Sequence, residues 1–84
     1  MKLAKFTKFR EEKFGGVLFE TGSEKVFALN PTAAAVVREI KAGEFDEAAI
    51  IARLKDRFNG AEAAIERDVR ALIAELRQKG LVEE

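Results

Sequence analysis

The sequence of 84 residues predicts an α+β fold with a three-stranded antiparallel sheet followed by three helices. Three observations predict it. Up to Leu29, short apolar runs are separated by turn residues, the pattern of strands. From Ala33 onward, apolar residues recur at helical spacing. The halves meet at "LNPT", where Asn30-Pro31 is a helix start.

The first strand is expected within Leu3–Phe9, with a looser segment after it that holds Phe14 among charges. Gly15-Gly16 marks a bend or bulge at the start of a hairpin. Val17, Leu18 and Phe19 form its first arm, Thr21-Gly22-Ser23 is turn chemistry, and Val26, Phe27 and Leu29 resume the strand. Strand alternation pairs Phe27 with Leu29 on one face, the expected core face. Asn30 then caps helix 1, and Pro31 sits where its missing N–H costs nothing. Ala33, Val36, Val37 and Ile40 make that helix's apolar stripe, and Gly43 is its stop.

Helix 2 starts at Asp46, with Phe45 and Ile50 at the spacing of a hydrophobic staple. Ile50, Ile51, Leu54 and Phe58 are its buried face, and Asn59-Gly60 ends it. Helix 3 is expected from Ala61 to Lys79, with Ile65, Val69, Leu72, Ile73 and Leu76 turned inward. Gly80 closes it, and Leu81 and Val82 fold back over its last turn. The whole chain, 1–84, is expected to be one domain.

Composition narrows the chemistry. Cysteine and histidine are both absent, which excludes disulfides and the usual zinc, copper and haem ligand sets, so neither a metal nor a cofactor is expected. The sole serine, Ser23, lies in a hairpin turn, and there is no tyrosine. A nucleophile–base pair would need lysine or a carboxylate in every role, so an enzyme is not expected. No apolar run approaches the ~20 residues that span a bilayer, and the N-terminus lacks a signal-peptide core. A cytoplasmic protein without a membrane partner is the expectation.

Lysines and arginines equal aspartates and glutamates, 15 each, which gives no general attraction to nucleic acid. The corner between helices 2 and 3 still raises a winged-helix DNA-binding module as the alternative. Helix 3 carries Arg67, Arg70, Arg77 and Lys79 against Glu62, Glu66, Asp68 and Glu75, and so has no surplus charge for phosphates. A different use lies in the strand Lys25–Leu29. Helix 1 cannot cover both of its edges, and a free edge accepts an extended peptide as another strand. Helix 3 would wall the groove beside it, and its arginines would suit an acidic peptide. The same edge could pair with a second copy of the chain, so a homodimer is also expected.

"FREEKFGGVLFE" followed by "VFALNPTAAAVVREI" resembles the PqqD family, associated with pyrroloquinoline quinone biosynthesis, whose fold recurs as the recognition element for ribosomally made, modified peptides. The likeness rests on Arg10 to Glu12, Gly15-Gly16, the junction Leu29-Asn30-Pro31-Thr32-Ala33, Asp68-Val69 in helix 3 and the terminal Gly80-Leu81. The resemblance implies a winged helix-turn-helix-like fold and a peptide chaperone. Such domains bind the leader segment of a precursor peptide as a strand and present it to a tailoring enzyme, often a radical S-adenosylmethionine enzyme. Carried over by position, the peptide pairs with Lys25, Val26, Phe27 and Ala28, and meets helix 3 around Arg67, Arg70, Ala71, Ala74 and Arg77.

Overall fold

The structure is a computed structural model that describes residues 1–43, 46–58 and 62–83. Its elements run β1 (Lys2–Leu3), β2 (Thr7–Glu12), β3 (Gly15–Glu20), β4 (Lys25–Leu29), α1 (Pro31–Gly43), α2 (Glu47–Arg57), α3 (Glu62–Gln78) and β5 (Val82–Glu83). The expected order of three antiparallel strands and three helices is present as β2-β3-β4 followed by α1, α2 and α3.

The N-terminal strand differs from its expected span. It divides at a turn in which the Thr7 amide donates to the Ala4 carbonyl at 3.0 Å. The part before the turn, β1, pairs antiparallel with β5, Lys2 opposite Glu83 and Leu3 opposite Val82. The part after it, β2, runs on through Glu11-Glu12, so only Lys13 and Phe14 of the segment expected to be loose lie outside regular strand before β3. The charges there do not interrupt it: Arg10 and Glu12 pair at 2.8 Å on the outer face, and Glu11, on the other face, is met by Arg38 of α1. Gly15 and Gly16 likewise lie inside β3, directly after the turn residues Lys13 and Phe14.

Gly15 has a φ of 140°, and a Cβ there would meet the Leu29 carbonyl oxygen at 2.2 Å. Only glycine fits a backbone in that region pressed against another backbone. This close approach lets β4 leave the sheet and become α1 within one residue. Asn30 completes the exit: its side-chain oxygen accepts from the Ala33 amide at 2.8 Å, as the capping argument requires. Asp46 caps α2 in the same way, accepting from the Ala49 amide at 2.8 Å. The staple with Phe45, the stop at Asn59-Gly60 and the start of α3 at Ala61 fall outside the described residues.

The helices pack on one face of the sheet around Leu18, Val36, Val37, Ile40, Ile50, Leu54, Val69 and Ile73, all with almost no accessible surface. Each such side chain contributes about 1.5–3 kcal/mol of apolar transfer. Glu39 on α1 is a buried acid, and it is neutralised by α2: Arg53 Nε donates at 2.5 Å and Arg57 Nη1 at 3.3 Å. At the far end of α3, Gly80 takes a φ of 72°. The Gly80 amide donates to Arg77 and the Leu81 amide to Leu76, a Schellman closure that turns Leu81 into the core and Val82 into β5. Among the described residues, no helix is long and apolar enough to cross a membrane.

Candidate functional site

The register decides which groups β4 offers. The Thr21 amide donates to the Phe6 carbonyl at 2.9 Å, one step beyond the pair Thr7–Glu20. Bonded and non-bonded pairs alternate in an antiparallel ladder, so Lys8–Phe19, Arg10–Val17 and Glu12–Gly15 are the bonded pairs. Val17 and Phe19 therefore spend their main-chain groups on β2, while Gly16, Leu18 and Glu20 direct theirs to β4. Their partners Leu29, Phe27 and Lys25 are consumed in turn. Val26 and Ala28 are left with N–H and C=O pointing away from the sheet, along an edge with which no described strand pairs.

The side chains alternate on the same register. Leu29 is buried and Phe27 half-buried against the core, the pair expected on that face. Val26 and Ala28 are exposed on the outer face. Beside the free edge, between β4, the start of α1 and α3, lies a cleft. Its deeper part is walled by Phe27, Ala33, Leu72, Leu76 and Leu81, with Glu75 and Lys79 at the rim. It encloses about 370 Å³, at the small end for a ligand site (~300–1,000 Å³), so it suits a few side chains of an extended segment. The cleft continues past Asn30, Ala33, Leu72 and Glu75 into a more polar part lined by Thr32, Val36, Asp68 and Ala71.

Of the positions expected on α3, Ala71 lines this cleft. Arg70 hydrogen-bonds Glu66 at 2.9 Å and lies 3.4 Å from Glu47 of α2, which places its flank of the helix against α2. Arg67 is exposed beside Asp68, 3.8 Å away. Ala74 and Arg77 are exposed and are not among the residues lining the cleft. The hydrogen bond from Arg70, with Lys55 nearby, holds the Glu66 carboxyl below the usual glutamate range. Lining residues beyond those expected are Asp68, Leu72, Glu75, Leu76 and Lys79. Helical periodicity groups residues 68, 72, 75 and 79 into one strip beside the core stripe, on the flank opposite Arg70, but does not tell which flank faces β4.

Comparison with known proteins agrees with this architecture. The family model described as coenzyme PQQ synthesis protein D (PqqD) matches residues 15–82. A lasso peptide synthetase B1 complexed with the leader peptide superposes with a TM-score of 0.80 at 25% identity, covering 99% of this chain and 96% of that one. TbiB1 in complex with the TbiA(beta) leader peptide superposes with a TM-score of 0.83 at 18% identity, covering 99% and 95%. No curated protein matches the chain by sequence. With the family model running from the start of β3 to β5, and a fold that places the Leu29–Ala33 junction beside an open strand edge, the chain belongs to the PqqD family.

Proposed function

We propose that this protein binds the leader segment of a ribosomally made precursor peptide as an added strand on β4 and presents it to a modifying enzyme, without catalysing a reaction itself. One observation carries the reading: Val26 and Ala28 hold unspent main-chain donors and acceptors along an edge that opens onto an apolar cleft. Main-chain bonding supplies register and affinity in such an arrangement, and alternate guest side chains enter the cleft. The solved structures similar in fold are complexes with leader peptides, which supports the same use here.

In this reading Lys25, Val26, Phe27 and Ala28 form the docking strand and Ala71 part of the facing wall. Arg67, Arg70, Ala74 and Arg77 are the outer surface of α3, met by parts of the guest or its enzyme beyond the cleft. A radical S-adenosylmethionine enzyme is the proposed recipient, the cytoplasm the proposed compartment, and pairing of two free β4 edges the proposed route to a homodimer in the absence of guest.

The test is an amide-resolved NMR titration with a synthetic leader peptide of any short precursor gene found next to the protein's own. The expected shifts concentrate at Val26, Ala28 and on the α3 strip through Ala71, Leu72 and Glu75. Binding with no perturbation of β4 would overturn strand addition.

A further inference from the structure

The cleft is not uniform along its length, and the difference has a sign. At one end Phe27, Leu72, Leu76 and Leu81 give it an apolar wall, with Glu75 and Lys79 at the rim. Toward the other end Asp68 joins Glu75 on the α3 wall, Glu75 and Asn30 lining both parts. Lys79 is the one cation among the described lining residues of either part, and it is engaged at the apolar end, 3.2 Å from Glu75 and over the Phe27 ring. The other source of positive potential there is the N-terminus of α1, and its donors are largely used. Pro31 has no N–H, the Ala33 amide is taken by the Asn30 side chain, and the Ala34 amide by the Asn30 carbonyl. A guest carboxylate at the Asn30 end would meet two like charges. A guest ammonium or guanidinium would meet Asp68, whose contact with the exposed Arg67 is a long 3.8 Å, and would share Glu75 with Lys79.

We infer that the cleft selects a basic residue in its guest, placed two positions from an apolar one toward the Asn30 end of β4. The inference rests on strand addition as proposed above and names the class of peptide it admits. The spacing follows from geometry. The two parts of the cleft share Asn30, Ala33, Leu72 and Glu75, and their linings on and just after α3 are offset by four residues, so their centres are roughly one helical turn apart, ~5–7 Å. Same-face residues of an extended strand repeat every ~6.6 Å, which matches that step. The charge is opposite to what helix 3 suggested when its arginines were taken to face the guest. Those at positions 67 and 70 stand beside Asp68 and against Glu66 and Glu47 instead.

The experiment selects binders from a displayed library of random twelve-residue peptides, using the intact chain. The expected consensus is an apolar residue with Lys or Arg two positions away. Replacing that base by Glu in a selected peptide weakens binding about two- to fivefold per carboxylate faced, as expected for exposed ion pairs. The double variant Asp68→Asn, Glu75→Gln keeps the apolar preference and loses the basic one. Enrichment of acidic residues, or a consensus without charge preference, would sink the inference. Selection by an Ala28→Pro variant separates the two levels. If it still captures the same peptides, strand addition itself fails. If it captures none while the wild-type chain selects peptides without a base, only the charge assignment fails. A library that yields no binder to the wild-type chain overturns both.

Discussion

The Lys79 ammonium lies 4.6 Å from the centre of the Phe27 ring, so the side chain directly after α3 reaches over the rim of the cleft onto β4. Its charge is also paired with Glu75 at 3.2 Å. Both contacts are partly solvated, where a cation–π pair contributes about 0.5–1 kcal/mol. Lys79→Met keeps the apolar stem and removes the charge. The expected outcome is a stability loss of no more than about 1 kcal/mol, with peptide capture retained, since the free groups of β4 belong to Val26 and Ala28. Denaturant melts and isothermal titration on one preparation measure both.

Proline scanning along β4 reads out the ladder directly. Ala28→Pro removes an N–H that faces the open edge, so the variant should keep its circular dichroism spectrum and lose peptide binding. Phe27→Pro removes an N–H bonded to β3 together with a ring packed on the core, and should unfold the hairpin. The opposite pattern would mean that the bonded and free residues had been exchanged.

Gly15 is held at a φ of 140° with its α-carbon facing the Leu29 carbonyl. Gly15→Ala is expected to cost ~2 kcal/mol or more, because the backbone region is essentially restricted to glycine and the new methyl meets main chain rather than a movable side chain. The midpoint of urea unfolding should fall with an unchanged slope.

Thr7 is buried, and its hydroxyl has no hydrogen-bond partner among the described residues. Thr7→Val replaces that hydroxyl by a methyl and keeps a β-branched strand residue. Relief of an unsatisfied buried group should raise stability by about 1 kcal/mol. A lower melting temperature would show that the hydroxyl is satisfied in solution.

Glu66 titrates below the ordinary glutamate range because Arg70 hydrogen-bonds its charged form and Lys55 adds a favourable field. A folded-state value lower than the unfolded one stabilises the fold above the unfolded value, ~4.3, and that contribution disappears as pH falls through the lowered folded value. Glu66→Gln should therefore narrow the stability difference between neutral pH and about pH 3, with the smallest effect in high salt. Equal pH dependence in both proteins would mean that the Arg70 contact is not maintained in solution.

Much of this molecule was legible in its residues because the signals are local. Asn30-Pro31 caps and starts α1, Asp46 caps α2, Gly80 closes α3, and the alternation of Phe27 and Leu29 marks the buried face of β4; each acts within a few positions of itself. The division of the first strand was not legible, since the partner of Lys2–Leu3 is Val82–Glu83 at the other end of the chain. Nor was the side of α3 that borders the cleft. A helical wheel of α3 shows a core stripe with two flanks, one holding Arg70 and the other Asp68, Glu75 and Lys79. Local sequence treats the flanks alike. The packing of α3 against α2 through Glu47 and Arg70, and its placement across from Phe27, decide which flank a guest would meet. Sequence alone determined that a strand would end abruptly at Asn30, because capping and the proline ring act on the backbone at that position. Tertiary structure alone decided which charges stand over that strand, because they come from a helix some forty residues later, positioned by contacts that no local pattern encodes.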